Sequence, residues 1–178
     1  MPSCPVLARL ARPACVLLLV AAAAAASAQA DSLGEVRALL ARGEYAAALQ
    51  RAEAAVAAKP DDAQARFVLG VVLMDMGRDA QALVIFTELS QTYPELPDPM
   101  NNLALLQARA GQLESARQSL EVALRNDSAH RTARINLGQV HLMLAAQAWA
   151  QALAVMPGDT SLLQKLQGVR ALLATPAR

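Results

Sequence analysis

An internal period of 34 residues constrains this sequence more than any other feature. Three glycines, Gly43, Gly77 and Gly111, recur at that interval. A unit of this length holds two helices and cannot bury its apolar face alone, so several units must stack and share one core. The same shift superposes further small and apolar residues: Ala48, Ala82 and Ala116; Leu69, Leu103 and Leu137; Gly70, Ala104 and Gly138; Ala52, Phe86 and Leu120; Ala55, Leu89 and Ala123; Pro60 and Pro94. The period therefore predicts an all-α chain of stacked helix pairs.

The second unit, residues 63–96, resembles the tetratricopeptide repeat family. It carries that family's small and apolar residues at the expected spacing, namely Leu69, Gly70, Ala82, Phe86 and Pro94. Arg66 and Leu73 stand where the family usually has Trp and Tyr. The resemblance covers about residues 31–157 and implies an α-solenoid of antiparallel helix pairs, about three and a half repeats long. It also implies a protein-binding scaffold or adaptor without catalysis.

Unit boundaries follow from the glycine turns and from the residues that end each unit. The units are predicted at 31–62, 63–96, 97–130 and 131–157, with a C-terminal capping helix and tail at 158–178. In the first unit Glu35 and Val36 replace the usual leucine and small residue, but its glycine and proline keep the period. Asp98 followed by Pro99 is typical of an N-cap and a first-turn proline, which predicts the start of the third unit.

The fourth unit is shorter than the others. Pro157 follows Pro94 by 63 residues, five short of two periods, and the missing residues fall at the glycine turn. We therefore expect one continuous helix from Arg131 to Met156, roughly 39 Å long. Its apolar second half must be covered by the last helix, at 160–173, or by a second molecule, which leaves a homodimer as the alternative function. Trp149 occupies the position of Phe86, either as a core residue or as a second interface.

The N-terminus has the layout of a secretory signal peptide. Arg9 and Arg12 precede an apolar run from Ala14 to Ala26, and Ala28-Gln29-Ala30 follows it. This run is shorter than the roughly 20 residues that cross a bilayer. We expect cleavage after Ala30 and export to the bacterial periplasm, without stable membrane insertion. A buried N-terminal helix or an uncleaved anchor are the alternatives.

Composition excludes several other classes. The leader contains both cysteines and two of the 16 basic residues, which leaves 14 basic against 15 acidic residues. A mature chain without cysteine has neither a disulfide framework nor thiolate metal ligands. A net charge of +1 for the whole chain and 3% aromatic residues argue against a nucleic-acid reader. The expected partner is a protein, and no cofactor is expected.

The first helices of stacked pairs form a wall that presents side chains from several units to an extended peptide or a partner helix. Asn102 and Asn136 are one period apart, and each carboxamide can pair with a peptide N–H and C=O. Arg109 lies seven residues after Asn102, on the same helical face, and could hold a carboxylate of the partner. Alternatively, Asn before Leu and a small residue is simply well accommodated in this repeat. The candidate groove residues are Phe67, Val71, Met74, Asp75, Asn101, Asn102, Leu105, Arg109, Ile135, Asn136 and Gln139.

The two histidines do not indicate an enzyme or a metal site. His130 and His141 are eleven residues apart, whereas a two-histidine zinc site on one helix requires a spacing of about four. Asp127 and Ser128 lie beside His130 at a turn, where such residues usually cap a helix. No catalytic and no metal-binding residue is therefore predicted.

Overall fold

A computed structural model describes residues 33–174, and every regular element within that range is an α-helix. The prediction of an all-α chain is thus confirmed. The predicted signal peptide at residues 1–30 lies outside the described residues. The helices are α1 (33–41), α2 (Tyr45–Ala58), α3 (Ala63–Asp75), α4 (Asp79–Thr92), α5 (Pro97–Arg109), α6 (Leu113–Asn126), α7 (Arg131–Val155) and α8 (Thr160–Ala174).

The periodic glycines end the first helix of each of the first three pairs. Gly43, Gly77 and Gly111 have φ values of 75°, 71° and 76°, a left-handed conformation that other residues adopt at a cost. At Gly111 the turn is closed by two backbone bonds, from its own N–H to Ala108 and from the N–H of Gln112 to Gln107. This pattern is the Schellman motif, which satisfies the last carbonyls of a helix and stops it. The period of 34 therefore reflects a left-handed backbone conformation that recurs at the turn of each repeat.

Gly111 at a turn and Gly138 inside a helix are expected to respond oppositely to replacement by alanine. Gly111→Ala forces a side chain into the left-handed region, which costs roughly 1–2 kcal/mol of unfolding free energy. Gly138 lies inside α7, and a Cβ added there has no atom within 4 Å. Gly138→Ala is therefore expected to stabilise the protein by about 0.5–1 kcal/mol. Urea unfolding of both variants tests this pair, and a loss of stability in Gly138→Ala would contradict it.

The described residues fall into two compact units, with the boundary between Asp75 and Met76. In the first unit α2 packs against α3. The first repeat has both of its helices, and Val36, which replaces the family's small residue, is fully buried. Its other buried apolar residues are Leu33, Leu39, Ala48, Ala52, Ala65, Val68, Val72 and Leu73.

The second unit contains α4 to α8. Within it α5 packs against α4, α6 and α7, and α6 also packs against α7. Leu120 is the large side chain at the centre of its core cluster and is fully buried among small residues. The remaining buried members of that cluster are Ala104, Ala116, Ala123, Ala133 and Val140. Small residues at the helix contacts let α5, α6 and α7 approach closely around one leucine.

Helix α7 is continuous for 25 residues, about 38 Å, and has no interruption where the other units turn. This confirms the predicted fused helix. Helix α8 packs against α7, so the chain itself supplies a cover for the long helix. The turn between them ends at Asp159, whose carboxylate accepts a 3.0 Å hydrogen bond from the N–H of Leu162 and caps α8.

The start of α5 differs from its prediction. The helix begins at Pro97 rather than after Asp98, and Leu96 is its N-cap without a side-chain hydrogen bond. Asp98 lies in the first turn and its carboxylate is 2.9 Å from Nε2 of His130. His130 itself caps α7, because its Nδ1 accepts the N–H of Ala133 at 3.1 Å. Nδ1 as acceptor makes Nε2 the donor to Asp98, and the capping role predicted for this turn is confirmed.

No helix within residues 33–174 is long and apolar enough to cross a membrane.

Candidate functional site: a cleft between α5 and α7

The candidate groove residues lie on three helices, one in the first unit and two in the second. On α3, Phe67, Val71 and Met74 are half-buried and Asp75 is exposed. Helix α5 carries four of the others and α7 carries the remaining three, and these two helices contact each other directly. The second unit therefore brings seven of the candidates to one pair of adjacent helices: Asn101, Asn102, Leu105, Arg109, Ile135, Asn136 and Gln139.

The three asparagines are buried and bond to one another. Asn136 donates from Nδ2 to Oδ1 of Asn101 at 2.8 Å, and Asn101 donates from Nδ2 to Oδ1 of Asn102 at 3.3 Å. Their exposed fractions are only 5% for Asn101, 9% for Asn102 and 8% for Asn136. The predicted ladder, with Asn102 and Asn136 as its two rungs, is therefore corrected. Asn101 connects the other two asparagines, and its hydrogen bond with Asn136 joins α5 to α7.

A cleft of about 190 Å³ opens between α5 and α7, which we call the α5/α7 cleft. Four predicted residues line it, and they supply an apolar group, a guanidinium and two carboxamides: Leu105, Arg109, Asn136 and Gln139. Gln139 is exposed, whereas Asn136 connects the cleft to the buried carboxamides. Ile135 is 44% exposed but does not line the cleft.

Residues that the sequence reasoning did not select complete the cleft. Val140 follows Asn136 by four residues and Met143 follows Gln139 by four, on the same face of α7. Ala104 and Ala108 are also four residues apart and line the cleft from α5. Leu120 lines it from α6. The helical spacing from Asn136 was the available signal for Met143. The walls are mainly apolar, and Arg109 carries the one charge among the lining residues.

Arg109 already has a carboxylate partner within the chain. Its Nη1 lies 3.0 Å from Oδ1 of Asp79, the first residue of α4. Both side chains are about half exposed, at 51% for Arg109 and 41% for Asp79. The sequence predicted that Arg109 could hold the carboxylate of a partner, and this stays a prediction; the internal partner Asp79 was not foreseen. The sequence signal for this ion pair was the position of both residues beside the glycine turns. Asp79 follows the turn at Gly77, and Arg109 precedes the next turn at Gly111.

Other features of the second unit do not converge on chemistry. A larger cavity of about 390 Å³ between α4, α5 and α6 is lined by uncharged residues and by none of the predicted ones. Trp149 is half-buried on α7 and does not line the cleft, and His141 is exposed. No group of three or more potential metal ligands occurs among the described residues.

Comparison with known proteins finds a tetratricopeptide repeat in part of the chain. Residues 33–97 match the sequence model of the tetratricopeptide repeat family. The chain is 29% identical over 111 residues to the "Protein CTR9 homolog" of Arabidopsis thaliana, over 62% of this chain. The aligned part spans only 10% of the length of that relative.

Solved structures share the fold. A thermophilic tetratricopeptide repeat protein of Thermus thermophilus superposes with a TM-score of 0.62 at 23% identity, over 82% of this chain and 83% of that one. The first repeat domain of Spaghetti (RPAP3), bound to the HSP90 peptide SRMEEVD, superposes with a TM-score of 0.59 at 14% identity, over 66% of this chain and 93% of that one. The molecule is thus an α-solenoid of helix pairs. Residues 33–97 are similar to the tetratricopeptide repeat family, and the solved structures share its fold.

Proposed function

We propose that this chain is a non-catalytic periplasmic scaffold that binds a segment of a partner protein in the α5/α7 cleft. The observation that carries the proposal is the convergence of Leu105, Arg109, Asn136 and Gln139 on one cleft. Its volume, about 190 Å³, is below the roughly 300–1,000 Å³ of pockets that enclose small molecules. A cleft of this size suits one or two side chains of a larger partner.

The chemistry of the cleft favours a peptide. Its apolar walls can bury an aliphatic side chain, and the exposed carboxamide of Gln139 can pair with a peptide N–H and C=O at once. The guanidinium of Arg109 adds a site for a carboxylate. The peptide bound by the RPAP3 domain, SRMEEVD, has acidic residues at three of its last four positions, which supports this class of ligand for a repeat stack. An extended segment and a partner helix both remain within this proposal.

The periplasmic location rests on the predicted leader. The charged start, the apolar run and the Ala28-Gln29-Ala30 site support cleavage by a secretory signal peptidase. N-terminal sequencing of the protein from a periplasmic fraction should therefore read Asp31 first. Recovery of the uncleaved chain from the cytoplasm would contradict this location.

The binding test uses exposed residues of the cleft. The buried asparagines are unsuitable, because their loss would destabilise the fold and weaken binding indirectly. The wild-type protein is panned against a library of random peptides, and the enriched peptides are titrated by calorimetry. The variant Arg109→Gln/Gln139→Ala should bind them about tenfold or more weakly, since it removes one charged and one neutral hydrogen-bonding group.

A matched control carries the same substitutions outside the cleft. Arg170 and Gln164 are exposed residues of α8, and Arg170→Gln/Gln164→Ala should bind like the wild type. Equal affinity of the cleft variant and the control would place the binding surface elsewhere. Failure to enrich any peptide would contradict the scaffold proposal.

Self-association is the second candidate, and exposed apolar groups at the end of α7 favour it. Val155 and Met156 are 83% and 56% exposed at the turn before α8. Trp149 lies on the same helix and is half-buried. Light scattering of the mature chain decides between the two functions: a dimer that Val155→Ser/Met156→Ser converts to a monomer would support self-association.

A further inference from the structure

Arg109 lines two cavities. One is the α5/α7 cleft, and the other is a cavity of about 270 Å³ between the start of α4 and the end of α5. Asp79 lies in this second cavity together with Leu83 and Leu106. The ion pair with Asp79 therefore holds the guanidinium towards the second cavity. A long, half-exposed side chain can reach either cavity by rotation about its own bonds.

We infer that Asp79 is an internal competitor for the carboxylate of a bound partner, and that it thereby sets which partners bind. The inference rests on the proposed function of the α5/α7 cleft. Within the chain, Oδ1 of Asp79 accepts a 3.0 Å hydrogen bond from Nη1 of Arg109 and so attracts the guanidinium that a ligand carboxylate would use. A partner carboxylate in the cleft must draw the guanidinium away from Asp79, while the cleft holds the rest of the partner.

The exposure of the pair makes this exchange feasible. Ion pairs as exposed as this one are weak, because water screens the charges and two flexible side chains must be ordered. Removing such a competitor raises the affinity for a carboxylate ligand by about two- to fivefold. Uncharged segments gain nothing, since they do not compete for Arg109. Asp79 therefore lowers the affinity of the cleft for acidic segments. Only acidic segments that also make contacts with the apolar walls bind well.

The experiment compares Asp79→Asn with the wild type. The probes are a carboxylate-bearing peptide enriched from the random library and its neutral analogue, in which Asn and Gln replace Asp and Glu and the C-terminus is amidated. Asp79→Asn should bind the acidic peptide about two- to fivefold more tightly and the neutral one equally. In the Arg109→Gln background the same substitution should change neither affinity.

Glu114→Gln is the matched control for charge. Glu114 forms another exposed ion pair, with Arg117 at 2.8 Å, and lines neither cavity. This variant has the same net charge as Asp79→Asn and should leave both affinities unchanged. Thermal unfolding followed by circular dichroism checks that the loss of a carboxylate at the start of α4 leaves the fold intact.

The outcomes separate the two proposals. If the wild type binds the acidic peptide and Asp79→Asn binds it equally or more weakly, the competitor role is overturned and the cleft proposal stands. If Asp79→Asn and Glu114→Gln raise the affinity for the acidic peptide equally, the cause is the change in net charge. That result also overturns the competitor role of Asp79. If neither the wild type nor Asp79→Asn binds any peptide, both proposals are overturned.

Discussion

Asn101→Ala is expected to lower the free energy of unfolding by about 1–3 kcal/mol. Asn101 accepts a hydrogen bond from Asn136 and donates one to Asn102, and all three side chains are buried. Truncation removes the central group and leaves a donor of Asn136 and an acceptor of Asn102 without that partner. Such groups keep the cost of leaving water while losing the bond that offset it. Urea unfolding monitored by circular dichroism measures the effect.

Two further variants separate this cause from simple loss of packing. Gln139→Ala removes an exposed carboxamide from the same region of α7 and should change stability by less than about 0.5 kcal/mol. Asn101→Leu/Asn136→Leu replaces both partners of the 2.8 Å bond by apolar groups of similar shape. It should cost less than the sum of the single replacements, because neither member leaves the other unpaired. Additive costs would show that the carboxamide bond contributes little.

The fold could be predicted because its main constraints are local and periodic. A left-handed residue is required at each turn between paired helices, and glycine meets that requirement at Gly43, Gly77 and Gly111. Its absence from the fourth unit indicated a continuous helix, and α7 is continuous. The start of α5 was misplaced by two residues, because Pro97 and Pro99 are both compatible with a first helical turn.

The site could be predicted only in part, because helical spacing shows which face of a helix a residue lies on but not how deeply it is buried. Helical spacing assigned Asn101, Asn102 and Asn136 to the wall of first helices that faces a bound partner. It could not show that these helices approach closely enough for the carboxamides to bond to each other, which depends on the small residues Ala104 and Ala133 in the core between them. The partner of Arg109 was missed for a related reason. Asp79 is 30 residues away, and only the stacking of repeats brings the two together.

Ala145→Pro is expected to cost about 3 kcal/mol or more of unfolding free energy. Ala145 lies inside α7, at the point where the other units have their glycine turn. Proline there removes the backbone hydrogen bond to His141, and its ring clashes with the carbonyl of that residue. The helix would be kinked between the cleft and the part of α7 that carries Trp149. Trp149 is the one tryptophan of the sequence, so its fluorescence during urea unfolding reports on that second half.

Arg131→Pro is the matched control for the proline itself. Arg131 is the first residue of α7, where proline is tolerated because the N–H has no partner within the helix. His130 before it has φ −62° and ψ 93°, an extended conformation that a following proline permits. Arg131→Pro should therefore unfold close to the wild type. Near-wild-type unfolding of Ala145→Pro as well would mean that the chain turns at Ala145, and that the wall of the cleft and the surface covered by α8 do not belong to one rigid helix.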